Sequence, residues 1–210
     1  MQILSHRGYW LNKNEKNSQI AFQRSFEAGF GSELDVRDYC GEIVISHDIA
    51  GPEALPFSEF LLSYLPYKDK LFLAVNIKSD GLCPKIVDML KLHAISNYFV
   101  FDMSVPDALT YIACGMNVFT RESEYEVYPP YYDAACGVWM DELCSPWITE
   151  EKISLHLKNQ KQVSIVSPEL HNRDYIGAWL KYKKIACSIA DNKLFLCTDF
   201  PEQARHYFHD

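Results

Sequence analysis

Short apolar runs alternate with amphipathic segments along the whole chain. The runs are apolar throughout, which is expected when both faces of a strand are buried in a parallel sheet. The segments between them have helical spacing: Phe22, Phe26 and Phe30 recur at every fourth position and so share one helical face. The pattern predicts strands near residues 2–5, 33–36, 43–45, 71–77, 98–101, 117–120, 137–140, 162–166 and 193–197, and helices near residues 17–30, 56–65, 84–95, 106–114, 149–159, 174–184 and 201–208.

The order of these elements is typical of an α/β protein with a parallel sheet. Two architectures fit it, a (β/α)8 barrel and a doubly wound open sheet. Roughly eight β/α units favour a single (β/α)8 TIM barrel. Its loops must be short, because the 210 residues are near the lower end of the range of about 200 to over 400 for such barrels. No linker interrupts the pattern, so residues 1–210 are expected to form one domain.

Composition and charge narrow the choice of function. Hydrophobic residues make up 48% of the chain and the net charge is −8. Binding to a nucleic-acid backbone requires a basic surface, so nucleic acid is not expected as a partner. The chain opens without a secretory signal, and no apolar run approaches the ~20 residues of a membrane span. We therefore expect a cytoplasmic protein whose seven cysteines, which form no Cys-x-x-Cys pair, are reduced and mostly buried.

Polar and charged side chains follow the predicted strands at one and the same end. A random distribution of charged residues would also place them along the strands. Because a barrel carries its chemistry where the strands end, the pattern indicates an active site. In chain order these residues are His6, Arg7, Glu33, Asp35, Arg37, His47, Asp48, Asn76, Lys78, Asp102, Arg121, Glu122, Glu124, Asp141, Glu142, Glu169, His171, Thr198 and Asp199.

Two carboxylates, Glu33 and Asp35, lie two positions apart on one predicted strand. They therefore point to the same face, and oxygen ligands of this kind suit a hard divalent cation such as Mg²⁺ or Ca²⁺. Such a cation would bind an anionic oxygen of the substrate. The alternative is a plain network of ion pairs at the barrel mouth, with both carboxylates bound to Arg7, Arg37 or Lys78.

Two histidines, His6 and His47, lie on separate segments near these carboxylates. Their ordinary pKa near ~6.5 suits both general acid and general base catalysis around neutral pH, and Asp48 or another acid could orient an imidazole. Arg7 and Lys78 supply positive charge for a phosphate. Together these groups indicate the cleavage of a phosphodiester.

Several motifs resemble those of the glycerophosphodiester phosphodiesterase family, within the phospholipase C-like phosphodiesterase superfamily. The matching segments are HRG at 6–8, EKNS at 15–18, AF at 21–22, ELDV at 33–36, VISHD at 44–48 and TDFP at 198–201. The likeness is dense over the first 48 residues and sparse from about residue 80 to 190. It is therefore specific at the amino-terminal end and touches both ends of the chain.

This resemblance implies a (β/α)8 barrel, a divalent cation (usually Ca²⁺ or Mg²⁺) and hydrolysis of a phosphodiester of a glycerol-type alcohol. It also implies a role for each matching residue. His6 and His47 would be the acid–base pair, Arg7 would contact phosphate, Glu33 and Asp35 would be metal ligands, and Lys78 would match the lysine that ends the third strand.

The sequence departs from the family pattern at two points. The third strand usually reads Glu-x-Lys, with the glutamate as a metal ligand, whereas this chain has Asn76. An amide oxygen can still bind a cation, but with one negative charge fewer. The alternative is that the site recruits another acid, such as Asp102, Asp141 or Glu169. The family also often carries a long insertion after the His-Asp pair that shapes the glycerol pocket. Here only about twenty residues follow Asp48 before the next strand, which leaves the leaving-group side open.

Other functions remain open at this point. The same residues would serve a lyase, in which a hydroxyl of the substrate attacks phosphorus and a cyclic phosphate is released. A barrel that lost turnover when Asn76 replaced an acid would bind a phosphorylated ligand through Arg7, Lys78 and Arg121. An unrelated barrel enzyme, such as a sugar isomerase, fits the fold alone. The substrate is expected to be a small-molecule or polymer phosphodiester or a lipid headgroup, and the oligomeric state is undetermined.

Overall fold

The computed structural model of the protein describes residues 1–188 and 193–209. Within these residues the chain forms strands and α-helices in nearly regular alternation. The strands are β1 (Gln2–His6), β2 (Gly31–Tyr39), β3 (Glu42–Ile45), β4 (Leu55–Pro56), β5 (Leu73–Ile77), β6 (Tyr98–Phe101), β7 (Phe119–Ser123), β8 (Gly137–Asp141), β9 (Gln162–Val166) and β10 (Leu194–Thr198). The helices are α1 (Gln19–Glu27), α2 (Phe57–Tyr64), α3 (Cys83–Leu92), α4 (Val105–Ala113), α5 (Glu150–Lys158), α6 (Ile176–Ser188) and α7 (Pro201–His209).

Eight of the strands pair in parallel around a ring. Strand β1 lies between β10 and β2, and β2 continues through β5 to β6. On the other side, β10 continues through β9 and β8 to β7. A parallel bridge between Val100 and Val118 joins the two arcs, and the Val100 amide donates to the Asn117 carbonyl at 2.8 Å. The single α/β barrel predicted from the sequence is thus confirmed over an open sheet.

Strands β3 and β4 form an antiparallel extension outside this ring. Strand β3 pairs with the far end of β2, opposite Val36 to Tyr39, and β4 pairs with β3 through Leu55 and Pro56. The sequence pattern did not predict β4, because only two residues pair and Pro56 is better recognised as the start of a helix. The extension carries the loop with His47 to the same end of the barrel as His6.

Aromatic side chains fill the inside of the barrel. Phe99 and Phe119 stack with their ring centroids 3.7 Å apart, and Phe101 stacks on Trp139 at 4.0 Å. Gly137 is required beside them, because a Cβ there would lie 2.3 Å from the Phe119 ring. This packed interior forms a floor beneath the carboxyl ends of the strands.

Hydrogen-bonded caps mark the starts of two predicted helices, and the cysteines correct another part of the sequence analysis. Ser18 and Thr149 cap α1 and α5, since their hydroxyl oxygens accept hydrogen bonds from the amides of Ala21 and Lys152. All seven cysteines are free, but only Cys83 and Cys197 are buried and four are exposed. The prediction of mostly buried thiols was wrong, because most of the cysteines lie in turns or on outer helix faces.

No helix of the described residues combines the length and apolar character needed to cross a membrane.

Candidate active site

His6 ends β1 and is bound by a residue from the last strand of the barrel. Its Nδ1 lies 2.6 Å from Oδ1 of Asp199, and Lys16 Nζ lies 3.3 Å from the other oxygen of that carboxylate. Its Nε2 lies 4.0 Å from Oε2 of Glu33. Burial lowers the pKa of His6, and the hydrogen bond with Asp199 offsets this only in part. His6 is therefore oriented at one nitrogen and is biased towards the neutral imidazole.

Arg7 turns sharply after β1 and binds both carboxylates of β2. Its φ is 60° and that of Gly8 is 83°, so the chain leaves the barrel in a left-handed turn. The Arg7 amide donates to the carbonyl of Glu33 at 3.0 Å and to its Oε2 at 3.2 Å. The guanidinium Nε lies 2.8 Å from Oδ2 of Asp35 as an ion pair without hydrogen-bond geometry, and Asn17 Nδ2 donates to that same oxygen at 2.8 Å.

Three oxygen-bearing side chains meet where β2 and β5 run side by side. Asp35 is in register with Asn76, and the Asn76 amide donates to Oε1 of Glu33 at 3.3 Å. All three side chains are buried. Oδ1 of Asp35 and Oδ1 of Asn76 are buried with no hydrogen-bond partner in the described part of the chain; Lys78 Nζ approaches Oδ1 of Asp35 only to 3.5 Å.

These oxygens fit a hard divalent cation. Buried polar atoms are normally paired, so the two acceptors without a hydrogen bond, beside the carboxylate of Glu33, have the capacity to bind a cation. Burial raises the pKa of Glu33 to about 8, and the nearby charge of Asp35 adds to the shift; a bound cation would favour the charged form. The described residues contain no group of three His, Cys, Asp or Glu side chains that could hold a metal, so the set depends on Asn76 as its third oxygen donor.

His47 lies in a different cavity from His6, and Arg7 lines both. The inner cavity, above the aromatic floor, has a volume of about 180 Å³ and is lined by His6, Glu33 and Lys78 among others. The outer groove is larger, about 790 Å³, and contains His47 and Asp48. His47 Nδ1 lies 2.8 Å from Oδ1 of Asp48, as the sequence suggested. The two histidines therefore line separate cavities that share Arg7, rather than one pocket.

The cations predicted to bind phosphate are engaged in ion pairs. Lys78 Nζ lies 3.2 Å from Oδ2 of Asp102 in addition to its contact with Asp35. Arg121 lines the inner cavity, but its Nη1 and Nε lie 2.5 Å from carboxylate oxygens of Asp102 and Glu126. Both side chains thus contribute to the plain ion-pair network that was the alternative interpretation.

The remaining predicted acids do not join the carboxylates of β2. Asp141 lines the inner cavity, and its Oδ1 lies 2.6 Å from Nε2 of His171. Glu169 accepts hydrogen bonds from the hydroxyls of Ser167 and Thr198 and from the amide of Asp199. Glu169 therefore stabilises the ends of β9 and β10, and burial raises its pKa.

Sequence reasoning missed three residues of this site. Asp199 was noticed after the last strand but was not paired with His6, and Asn17 was noted only within the EKNS motif, without a role in the site. His171 was noted at a strand end without a role. The TDFP segment and the asparagine of EKNS were the signals for the first two, and for His171 the sequence holds no comparable motif.

Comparison with known proteins shows similarity of structure only. Neither the family models nor the curated proteins match this sequence. A provisionally assigned glycerophosphodiester phosphodiesterase of Galdieria sulphuraria superimposes with a TM-score of 0.77 at 15% identity, covering 100% of this chain and 98% of the other. An Oleispira antarctica phosphodiesterase in complex with the product sn-glycerol-3-phosphate gives 0.72 at 13% identity, with coverages of 100% and 97%.

A Ca²⁺-dependent phosphatidylinositol-specific phospholipase C of Streptomyces antibioticus also superimposes, with a TM-score of 0.64, 9% identity and coverages of 99% and 95%. All of these likenesses extend over nearly the full length of both chains. The resemblance drawn from the motifs is therefore confirmed at the level of the fold: this chain adopts the barrel fold found in the glycerophosphodiester phosphodiesterase structures.

Proposed function

We propose that this protein is a metal-dependent phosphodiesterase that hydrolyses a glycerophosphodiester or a related alcohol phosphodiester. The observation that carries the proposal is the position of Arg7. It borders both the inner cavity with His6 and the outer groove with His47. A phosphate beside Arg7 would thus have an imidazole on each side and room for an alcohol in each direction.

The proposed cation is held by Glu33, Asp35 and Asn76, and Mg²⁺ or Ca²⁺ matches their oxygen atoms. When bound, it would neutralise charge on the phosphate and polarise a phosphoryl oxygen. Arg7 and Lys78 orient the phosphate from the same end of the barrel. Both already contact Asp35, so their charges are fixed in place before the substrate arrives.

His6 and His47 form the proposed acid–base pair. One imidazole takes the proton of the attacking water as the new P–O bond forms. The other gives a proton to the alcohol oxygen, which keeps the electron pair of the P–O bond that breaks. Asp199 orients His6, since it binds Nδ1 and leaves Nε2 for proton transfer. Asp48 does the same for His47. A cytoplasmic location and a small-molecule or polymer substrate stay predictions.

The test is turnover of bis(p-nitrophenyl) phosphate and of several glycerophosphodiesters, with Mg²⁺, Ca²⁺, Mn²⁺ or a chelator. We expect metal-dependent activity in the wild-type protein and its loss, by about 10²–10⁴-fold, in His6→Gln and His47→Gln. His209→Gln is the matched control, because His209 lies on α7 near the opposite end of the barrel. Turnover that survives metal removal or the double substitution would contradict the proposal.

Two other outcomes identify the alternatives. A persistent cyclic phosphate, seen by phosphorus NMR, would show that the enzyme is a lyase. Turnover that appears only in Asn76→Glu would show that the natural protein binds a phosphorylated ligand without cleaving the substrates tested.

A further inference from the structure

The wall of the inner cavity opposite Glu33 combines apolar and polar groups. Phe101 and Trp139, stacked at 4.0 Å, line its base together with Val166 and Leu170. With about 180 Å³, the cavity is smaller than the ~300–1,000 Å³ of typical ligand pockets. It therefore has room for one small alcohol of a diester but not for a bulky one.

Each of the two cations that line this cavity besides Arg7 is already held by two carboxylates. Lys78 is bound by Asp35 and Asp102. Arg121 is bound by Asp102 and Glu126. Their remaining N–H donors suit an anionic phosphate better than a neutral hydroxyl, so another polar group of the cavity is the better candidate to recognise the alcohol.

His171 is such a group. It ends the turn Pro168–His171 that follows β9 and lines the inner cavity. Its Nε2 lies 2.6 Å from Oδ1 of Asp141, which fixes the ring, and its side chain remains 26% exposed. In the part of the chain that the structure describes, its Nδ1 shows no hydrogen-bond partner.

The free Nδ1 can bind a hydroxyl in either charge state of the ring. If the imidazole is neutral with its proton on Nε2 facing Asp141, Nδ1 accepts a hydrogen bond from a hydroxyl. If the ring is protonated, Nδ1–H donates to the hydroxyl oxygen. The hydrogen bond with Asp141 raises the pKa of His171; burial opposes this, Arg173 also lowers it and Glu124 raises it. Recognition of a hydroxyl thus does not depend on which charge state prevails.

We propose that His171, held by Asp141, is a specificity-determining residue that binds a hydroxyl of the alcohol occupying the inner cavity. The preferred diester then has one small alcohol with a free hydroxyl, whose carbon atoms lie against Phe101 and Trp139. The other alcohol extends into the outer groove beyond Arg7. This inference rests on the proposed function for the position of the phosphate.

The test compares the binding of glycerol 3-phosphate and propyl phosphate, which differ in their hydroxyls, by titration calorimetry in the presence of Mg²⁺. We expect the wild type to prefer glycerol 3-phosphate by roughly tenfold, the value of one hydrogen bond. His171→Leu should lose this preference mainly through weaker binding of glycerol 3-phosphate, while His171→Asn, which keeps a polar group, should retain part of it. The control His209→Leu removes a histidine near the far end of the barrel and should keep the full preference.

Each result is decisive for this inference. No preference in the wild type, binding of neither ligand, or an unchanged preference in a folded His171→Leu protein would overturn it. If the ratio of the Kd values for glycerol 3-phosphate and propyl phosphate changes as expected but no diester is hydrolysed, the proposed phosphodiesterase activity is refuted and the hydroxyl-binding site is supported. A loss of kcat that is equal for hydroxylated and alkyl diesters, with unchanged Kd values, would assign His171 to proton transfer instead.

Discussion

Nδ1 of His6 lies 2.6 Å from Oδ1 of Asp199, although the two residues are 193 positions apart in the chain. The contact forms because β1 and β10 are neighbours in the ring, with Ser5 in register with Thr198. The first and last strands thus combine to orient one imidazole. Burial raises the pKa of Asp199, but the hydrogen bond with His6 and then the charge of Lys16 lower it overall. Lys16 Nζ itself lies 4.6 Å from the centre of the Trp10 ring.

Replacing Asp199 with asparagine should impair proton transfer without unfolding the barrel. The amide keeps the size of the carboxylate but removes the charge that stabilises a protonated imidazole. Its NH₂ group can also donate a hydrogen bond to Nδ1, which favours the tautomer that carries the ring proton on Nε2. We expect kcat to fall by about 10²–10⁴-fold with little change in KM. Asp69→Asn, an exposed position, is the control. Wild-type turnover in Asp199→Asn would show that His6 does not depend on this partner.

Replacing Asn76 with glutamate should strengthen cation binding. A third carboxylate adds negative charge to the buried pair of Glu33 and Asp35, and the number of charged ligands sets the affinity of oxygen sites for Ca²⁺. We expect Kd for Ca²⁺ to fall by about tenfold or more in calorimetric titrations. Without cation the variant should melt below the wild type, and added Ca²⁺ should reverse this. Gln160→Glu, which adds a carboxylate at an exposed site, should change neither quantity; an unchanged Kd in Asn76→Glu would argue against a cation site here.

Much of the fold could be predicted from the sequence because its signals are local. Uniformly apolar runs predict buried parallel strands, and cap residues such as Ser18 and Thr149 mark helix starts, so most elements were located to within a few residues. Strand β4 was not predicted, since the pairing of Leu55 and Pro56 with β3 depends on tertiary contact and not on propensity.

The site was only partly predictable, for a similar reason. Glu33 and Asp35 share a strand face, so their proximity follows from spacing alone. The partners His6–Asp199 and Asp141–His171 come from different strands, and only closure of the ring brings them together. The separation of His6 and His47 into two cavities depends on how β3 packs against β2, and the VISHD motif carries no information about that packing.

Replacing Gly8 with alanine should destabilise the protein more than the same change at Gly41. Both glycines have φ near 83°, which costs an L-residue about 1–2 kcal/mol. At Gly8 a Cβ would also lie 2.8 Å from backbone and side-chain carbons of Ala21, whereas at Gly41 it would meet no atom within 4 Å. Urea unfolding should show a loss of about 2–4 kcal/mol at Gly8 and about 1–2 kcal/mol at Gly41.

The turn at Gly8 also positions Arg7, so Gly8→Ala should raise KM for the diester while Gly41→Ala leaves it unchanged. Equal losses of stability in the two variants would mean that Ala21 moves aside and that the close approach is not required.

The buried Glu122 should make stability depend on pH. Its carboxylate lies 2.8 Å from Nε2 of His156 and also pairs with Lys152. Burial alone would raise the pKa of Glu122, but the hydrogen bonds from these two partners lower it. Since the folded-state pKa lies below the unfolded value, the stabilisation is complete above an unfolded pKa near ~4.3 and is lost as pH falls through the folded pKa.

Glu122→Gln should therefore be less stable than the wild type by about 1–3 kcal/mol at pH 7, a range that allows for the partly exposed Lys152. The difference should shrink as the pH is lowered below about 4, because the wild type then loses the same charge. Chemical unfolding at several pH values measures this difference. The control Glu27→Gln, at an exposed position on α1, should follow the wild-type curve. A difference that stays constant from pH 7 to 3 would show that Glu122 acts through packing and not through its charge, because packing is independent of protonation.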